Sequence, residues 1–205
     1  MGFRFGGLVS LLALGFSAVS LWETTLKHPN LKLYVADTLS YTRDPWGGYE
    51  VFAVPVTISN RGARDGAVVA LQLEIKNTSN GQTDIFNGAY TADAQYFGGN
   101  DDVTKGSRRP KLPFAPLSIA GRAAFTGTIL FYPPEYRQQK LIDPKSHVVL
   151  RLKAQALQPE DWLDKTLGRR PEDLLIEADV PNFLPGGLLA GDMARLHVTS
   201  KTAVP

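Results

Sequence analysis

Residues 5–22 carry no charged side chain, and this one stretch constrains the chain more than any other. Leu, Val, Phe, Ala, Gly and Ser fill it, with Arg4 before it and Glu23 after. At about 1.5 Å per residue its length spans roughly 27 Å, close to the ~30 Å hydrocarbon core of a bilayer. Backbone groups inside lipid have only each other to bond, so the stretch is predicted to be a transmembrane helix. Residues 1–28 therefore read as an anchor and short polar tether, and residues 29–205 as one globular domain.

Six small residues recur through the stretch at steps of four and three: Gly6, Ser10, Ala13, Ser17, Ser20 and Thr24. That spacing puts them on one helix face. Small faces let helices approach closely in lipid, where apolar bulk gives no preference for protein over acyl chain. The expected partner is a multi-helix membrane protein. A rival reading is signal-peptidase cleavage after Ala18-Val19-Ser20. The length of the apolar run and the interfacial Trp22 favour a retained anchor. Arg4 places the amino terminus in the cytoplasm and the bulk in the periplasm of a bacterial inner membrane.

The 205 residues include no cysteine, which removes disulfides, thiolate metal sites and a Cys nucleophile. A net charge of +2 gives no field suited to nucleic acid. The 19 Gly and 14 Pro fall mostly between apolar runs, as in a β protein rich in turns.

Strands are expected over 31–38, 49–60, 67–77, 82–91, 122–132, 146–157, 174–180 and 193–200, from period-2 alternation bounded by turn residues. Asn80-Gly81 is a strong hairpin signal. Pro55 lacks a donor and predicts an edge or a bulge. One short helix is expected over 159–167, and long loops over 92–120 and 181–191. This pattern predicts an immunoglobulin-like antiparallel β-sandwich. The run Val54-Pro55-Val56-Thr57-Ile58-Ser59-Asn60-Arg61-Gly62, followed by small residues and Val68-Val69-Ala70-Leu71, resembles bacterial extracytoplasmic Ig-like modules of the CARDB type. The match covers about 25 of the 205 residues. The resemblance implies an adhesion or scaffolding unit without catalytic residues.

No catalytic motif is present. His28, His147 and His197 lack metal-ligand spacing, and no Gly-x-Ser-x-Gly elbow occurs. Asp93, Asn100, Asp101 and Asp102 do not match a calcium loop, and Glu160, Asp161 and Asp164 suit the first turn of a helix. The chain is thus expected to be no enzyme and to need no cofactor, metal or small-molecule substrate. Partner-binding candidates are Lys105, Arg108, Arg109 and Lys111 with Tyr96 and Phe97 in the long loop, and Phe183 and Leu184 in the later one. Cations and aromatics suit a protein interface or lipid headgroups. The expected function is a non-catalytic accessory or scaffolding subunit of a membrane complex. The alternative is a periplasmic ligand- or peptide-binding module released by cleavage.

Overall fold

The computed structural model describes residues 3–43, 49–92, 111–135, 140–157, 171–182 and 193–204. A helix, α1 (Phe3–Leu21), runs into five residues of wider π-type turn (Trp22–Leu26). Among the described residues eleven strands follow: β1 (Leu31–Val35), β2 (Thr38–Arg43), β3 (Glu50–Asn60), β4 (Gly66–Asn77), β5 (Thr83–Ala92), β6 (Lys111–Pro113), β7 (Leu117–Ile119), β8 (Ala124–Tyr132), β9 (His147–Ala156), β10 (Asp173–Asp179) and β11 (Met193–Val204).

The expected immunoglobulin-like sandwich is not what forms. Antiparallel pairing runs β5–β8–β3–β2–β11–β10–β9–β4 and then returns from β4 to β5. Eight strands thus close into a barrel, where a sandwich would leave two sheets with free edges. The closure turns on β5. Its first half pairs with β4 (Phe86 opposite Leu73), and its second half pairs with β8 (Thr91 opposite Ile129). The strand changes neighbours at Gly88, where the register slips before Tyr90. A Cβ on Gly88 would lie 3.2 Å from Ile129 Cγ2 and 3.3 Å from the Leu71 carbonyl oxygen. Only a bare backbone fits comfortably at this corner. Alternation alone does not separate barrel from sandwich, because both bury every second residue.

The alternating positions fill the interior. Phe52, Val54, Val56 and Ile58 of β3 are fully buried, as are Leu73 and Ile75 of β4 and Leu150 and Leu152 of β9. Phe52 packs edge-on against Phe86 at 5.0 Å and lies 5.2 Å from Tyr41. Val51, Ala53 and Leu130, of the opposite parity, form a smaller cluster with Tyr90, Ala92, Tyr132 and Met193 packed against it.

The strand expected over 31–38 ends at Val35, and a second strand, β2, runs from Thr38 to Arg43, beyond the expected span. β1 and β2 pair with the same side of β3, but Ala36 and Asp37 interrupt them. Val35 stands opposite Val56 and Ser40 opposite Ala53, so the offset is two residues and Leu33, Val35, Leu39 and Tyr41 all stay inward. Pro55 sits at this break. Its carbonyl accepts from Ala36 N at 3.3 Å, while its missing N–H faces no regular ladder partner. Lys201 Nζ closes the gap, donating to the Val35 carbonyl at 2.8 Å and to the Asp37 carboxylate. That hydrogen bond and the ammonium charge hold the Asp37 carboxyl below its usual range. The expected helix over 159–167 lies outside the described residues.

The barrel end away from α1 is plugged by residues 140–146. Leu141 and Ile142 are buried in the core cluster. Their amides reach the buried Glu50 carboxylate, Leu141 N at 2.9 Å and Ile142 N at 3.2 Å. Tyr41 Oη donates to the same carboxylate at 2.8 Å. Asn77 Nδ2 donates to the Leu141 carbonyl at 2.9 Å, fixing the plug from the other side. Burial pulls the Lys140 ammonium below its usual range, against the pull of Glu50.

Burial, and then the Glu50 charge, push the Tyr41 phenol far above its ordinary 10.0. A raised folded pKa adds stability that is complete below 10.0 and is lost as the pH climbs above it. Tyr41→Phe is expected to cost about 1 kcal/mol at neutral pH. It should also flatten the alkaline fall in denaturation midpoint that the wild type shows above pH 10.0. Parallel alkaline limbs for the two proteins would refute the assignment.

Candidate functional site: the helix–barrel junction

α1 is exposed to its surroundings at every residue from Gly7 onward, including Leu8, Leu11, Leu12, Leu14 and Phe16. It is long and apolar enough to cross a membrane over Gly7–Leu26 by length and composition. At about 100° per residue, Gly6, Ser10, Ala13, Ser17 and Ser20 fall within roughly 80° of arc. Thr24 continues the series into the wider turn, where its hydroxyl donates to the Ser20 carbonyl at 2.6 Å. The hydroxyl is thus satisfied inside its own helix. Lys27 N donates to the Trp22 carbonyl at 2.9 Å, closing the five-residue turn. Trp22 meets the His28 ring edge-on at 6.2 Å. A Glu23–Lys27 ion pair of 2.8 Å lies on the surface, where such pairs add little.

Beyond Lys27 the chain does not hang loose. Its carbonyl accepts from Ala63 N at 2.9 Å and from Arg64 N at 3.1 Å. Arg61 N donates to the Asn30 carbonyl at 2.9 Å. The Arg122 guanidinium donates to the Glu23 carbonyl, and Arg122 N to the Gly62 carbonyl at 3.0 Å. Three backbone segments therefore stack: linker 27–30, loop 61–65 and loop 120–123.

Asn60 ties the stack together. It ends β3, is only 2% exposed, and uses both ends of its amide. Oδ1 accepts from Asn30 N at 3.2 Å and from Gly62 N at 2.9 Å. Nδ2 donates to the Arg64 carbonyl at 2.8 Å and to the Ile119 carbonyl at 3.1 Å. Few other side chains offer two acceptor and two donor contacts in one planar group. Two glycines allow the close layering. A Cβ on Gly62 would stand 2.1 Å from the His28 carbonyl oxygen, and one on Gly121 would stand 2.0 Å from that of Ala63.

The five α1 members of the small-residue seam lie on α1, within the single helix Phe3–Leu21. Lys111 opens β6 opposite Ala92. Lys105, Arg108, Arg109, Tyr96, Phe97, Phe183 and Leu184 lie outside the described residues, as do the acidic loop and helix candidates. Among the described residues no group of three or more His, Asp and Glu side chains is placed to hold a metal. His147 Nδ1 is 2.8 Å from Asp179 Oδ1 across the β9–β10 ladder. In the sequence Asn60-Arg61-Gly62 stands out only within the run that resembles Ig-like modules, and nothing there shows that it joins helix to barrel. The available signal was the Asn-x-Gly pattern itself, which a second glycine-bearing turn at 120–123 completes.

No family model matches the chain, and no curated protein does. Among solved structures, a Bordetella pertussis protein provisionally assigned as ApaA is 13% identical to this chain. The match covers 87% of this chain and 94% of that one, with a TM-score of 0.31. A likeness that weak assigns neither fold nor function.

Asn60→Ala would remove the partner of two backbone donors and two carbonyls at once and is expected to cost about 2–3 kcal/mol of stability. Gly62→Ala should open the stack. Hydrogen exchange at the Ala63 and Arg64 amides is then expected to speed up while core β3 amides stay protected. Unchanged exchange at those two amides would mean that the junction does not depend on the close approach.

Proposed function

We propose that this chain is a non-catalytic accessory or scaffolding subunit of a membrane complex. α1 spans the inner membrane of a bacterium with its amino terminus in the cytoplasm and the barrel in the periplasm. Its seam of Gly6, Ser10, Ala13, Ser17, Ser20 and Thr24 lies along a helix of a larger membrane protein. The observation that carries this reading is the Asn60-centred joint between a helix that is apolar and exposed from Gly7 onward and a closed barrel.

A joint of this kind has a geometric consequence. Rotating α1 about its axis turns the barrel with it, so a neighbour that holds the seam also meets a defined side of the barrel. Holding both surfaces in one piece raises the effective concentration of the second contact once the first is made. A modest patch on each is then enough. Small residues on the helix supply close packing without any large apolar side chain between backbones.

Gly6→Leu combined with Ser17→Leu places two bulky side chains on the seam. After mild detergent extraction, the amount of multi-helix membrane protein recovered with the doubly substituted chain should fall several-fold. The barrel's denaturation midpoint should stay unchanged. Equal recovery from the two chains would overturn the docking role of the seam.

A further inference from the structure

The junction loops bring three arginines to one level. Arg61, Arg64 and Arg122 are all exposed. The Arg122 side chain rests on the carbonyl of Glu23, one residue beyond Trp22. The amides of Ala63 and Arg64 rest on the carbonyl of Lys27. At about 1.5 Å per residue Lys27 stands roughly 7 Å past Trp22, and the headgroup layer of one leaflet is about 5–7 Å thick. With Trp22 at the hydrocarbon boundary, these loops therefore lie at headgroup depth.

Among the described residues of the linker and these loops the charge is cationic: Arg61, Arg64, Arg122 and Lys27 stand against the two carboxylates Glu23 and Asp65. Glu23 is engaged by Lys27 Nζ at 2.8 Å. Asp65 Oδ1 accepts from Gly121 N at 3.1 Å. A little further up the barrel, Lys32 is matched by Glu172 at 2.9 Å and adds no net charge. Arg61 also donates to Tyr34 Oη at 2.7 Å, which leaves further N–H groups of its guanidinium for other acceptors. Planar guanidinium forks suit phosphate oxygens, and a charged leaflet strengthens the attraction within a Debye length.

We infer that Arg61, Arg64 and Arg122 bind the phosphates of anionic phospholipids in the leaflet beneath the barrel. The inference rests on the membrane-spanning reading of α1. The contacts recruit anionic lipid around the foot of the helix, and the rigid junction holds the arginines at the depth where that lipid is found. The helix alone has no cation after Trp22 before Lys27, so the selectivity comes from the barrel's loops.

The test uses the full chain in mixed micelles containing phosphatidylcholine and phosphatidylglycerol in equal amounts. Lipids that stay with the protein are identified and counted by native mass spectrometry. The wild type is expected to retain phosphatidylglycerol at least threefold over its input share. Arg61→Gln with Arg64→Gln should return the ratio to near the input. Lys76→Gln with Lys145→Gln, which removes the same charge at the far end of the barrel, should leave the enrichment intact. Each variant is first shown to melt at the wild-type temperature. Retention in the input ratio by the wild type, or undiminished enrichment in the arginine variant, overturns the inference and leaves the membrane reading standing. A chain that keeps no lipid at all overturns both.

Discussion

A single buried side-chain amide sets how the two parts of this protein relate. Asn60 joins the linker from the helix, the loop after β3 and the end of β7 through four hydrogen bonds. Each is worth only about 1 kcal/mol net, but stranding any partner in the interior costs more. The arrangement also needs two glycines whose missing Cβ atoms let carbonyl groups come within contact distance. Without that layering, residues 27–30 would be a short polar swivel, and the helix and the barrel would be oriented independently.

The barrel gives the joint something firm to hold. Its ring of eight strands closes because β5 serves two neighbours, turning at Gly88. The far mouth is stopped by Leu141 and Ile142, whose amides end on the Glu50 carboxylate. A buried carboxylate in such a position carries a large desolvation cost, which three donors from two chain segments offset. The two ends are therefore built differently: an amide and two glycines hold the helix at one, and a carboxylate holds a plug at the other.

Much of this was legible in the residues, and the missing part has physical causes. The alternation over 67–77 and 146–157 located β4 and β9 nearly to the residue, and Asn80-Gly81 marked their neighbouring hairpin, with Gly81 at φ +74°. Pro55 pointed to an edge or a bulge in its own strand, but β3 is paired on both sides without a register shift, and the irregularity falls instead between β1 and β2 on the adjoining strand. The closed ring was not legible. Whether strand edges meet depends on pairings far apart in sequence, and one glycine in β5 was the only local trace of the corner. Asn60-Arg61-Gly62 was seen, but its neighbours in space come from positions 30, 64 and 119. The seam on α1 was readable throughout, since a helix face follows from spacing alone.

The joint is assembled from three separate stretches of chain, so it exists only after β3, β7 and the start of β8 have come together. An unfinished barrel would leave α1 free to spin. On the docking role proposed above, a neighbour that grips helix and barrel at once would hold such a molecule poorly. Completed and incomplete copies would then be told apart with no separate inspection step, because the grip itself depends on the fold being finished.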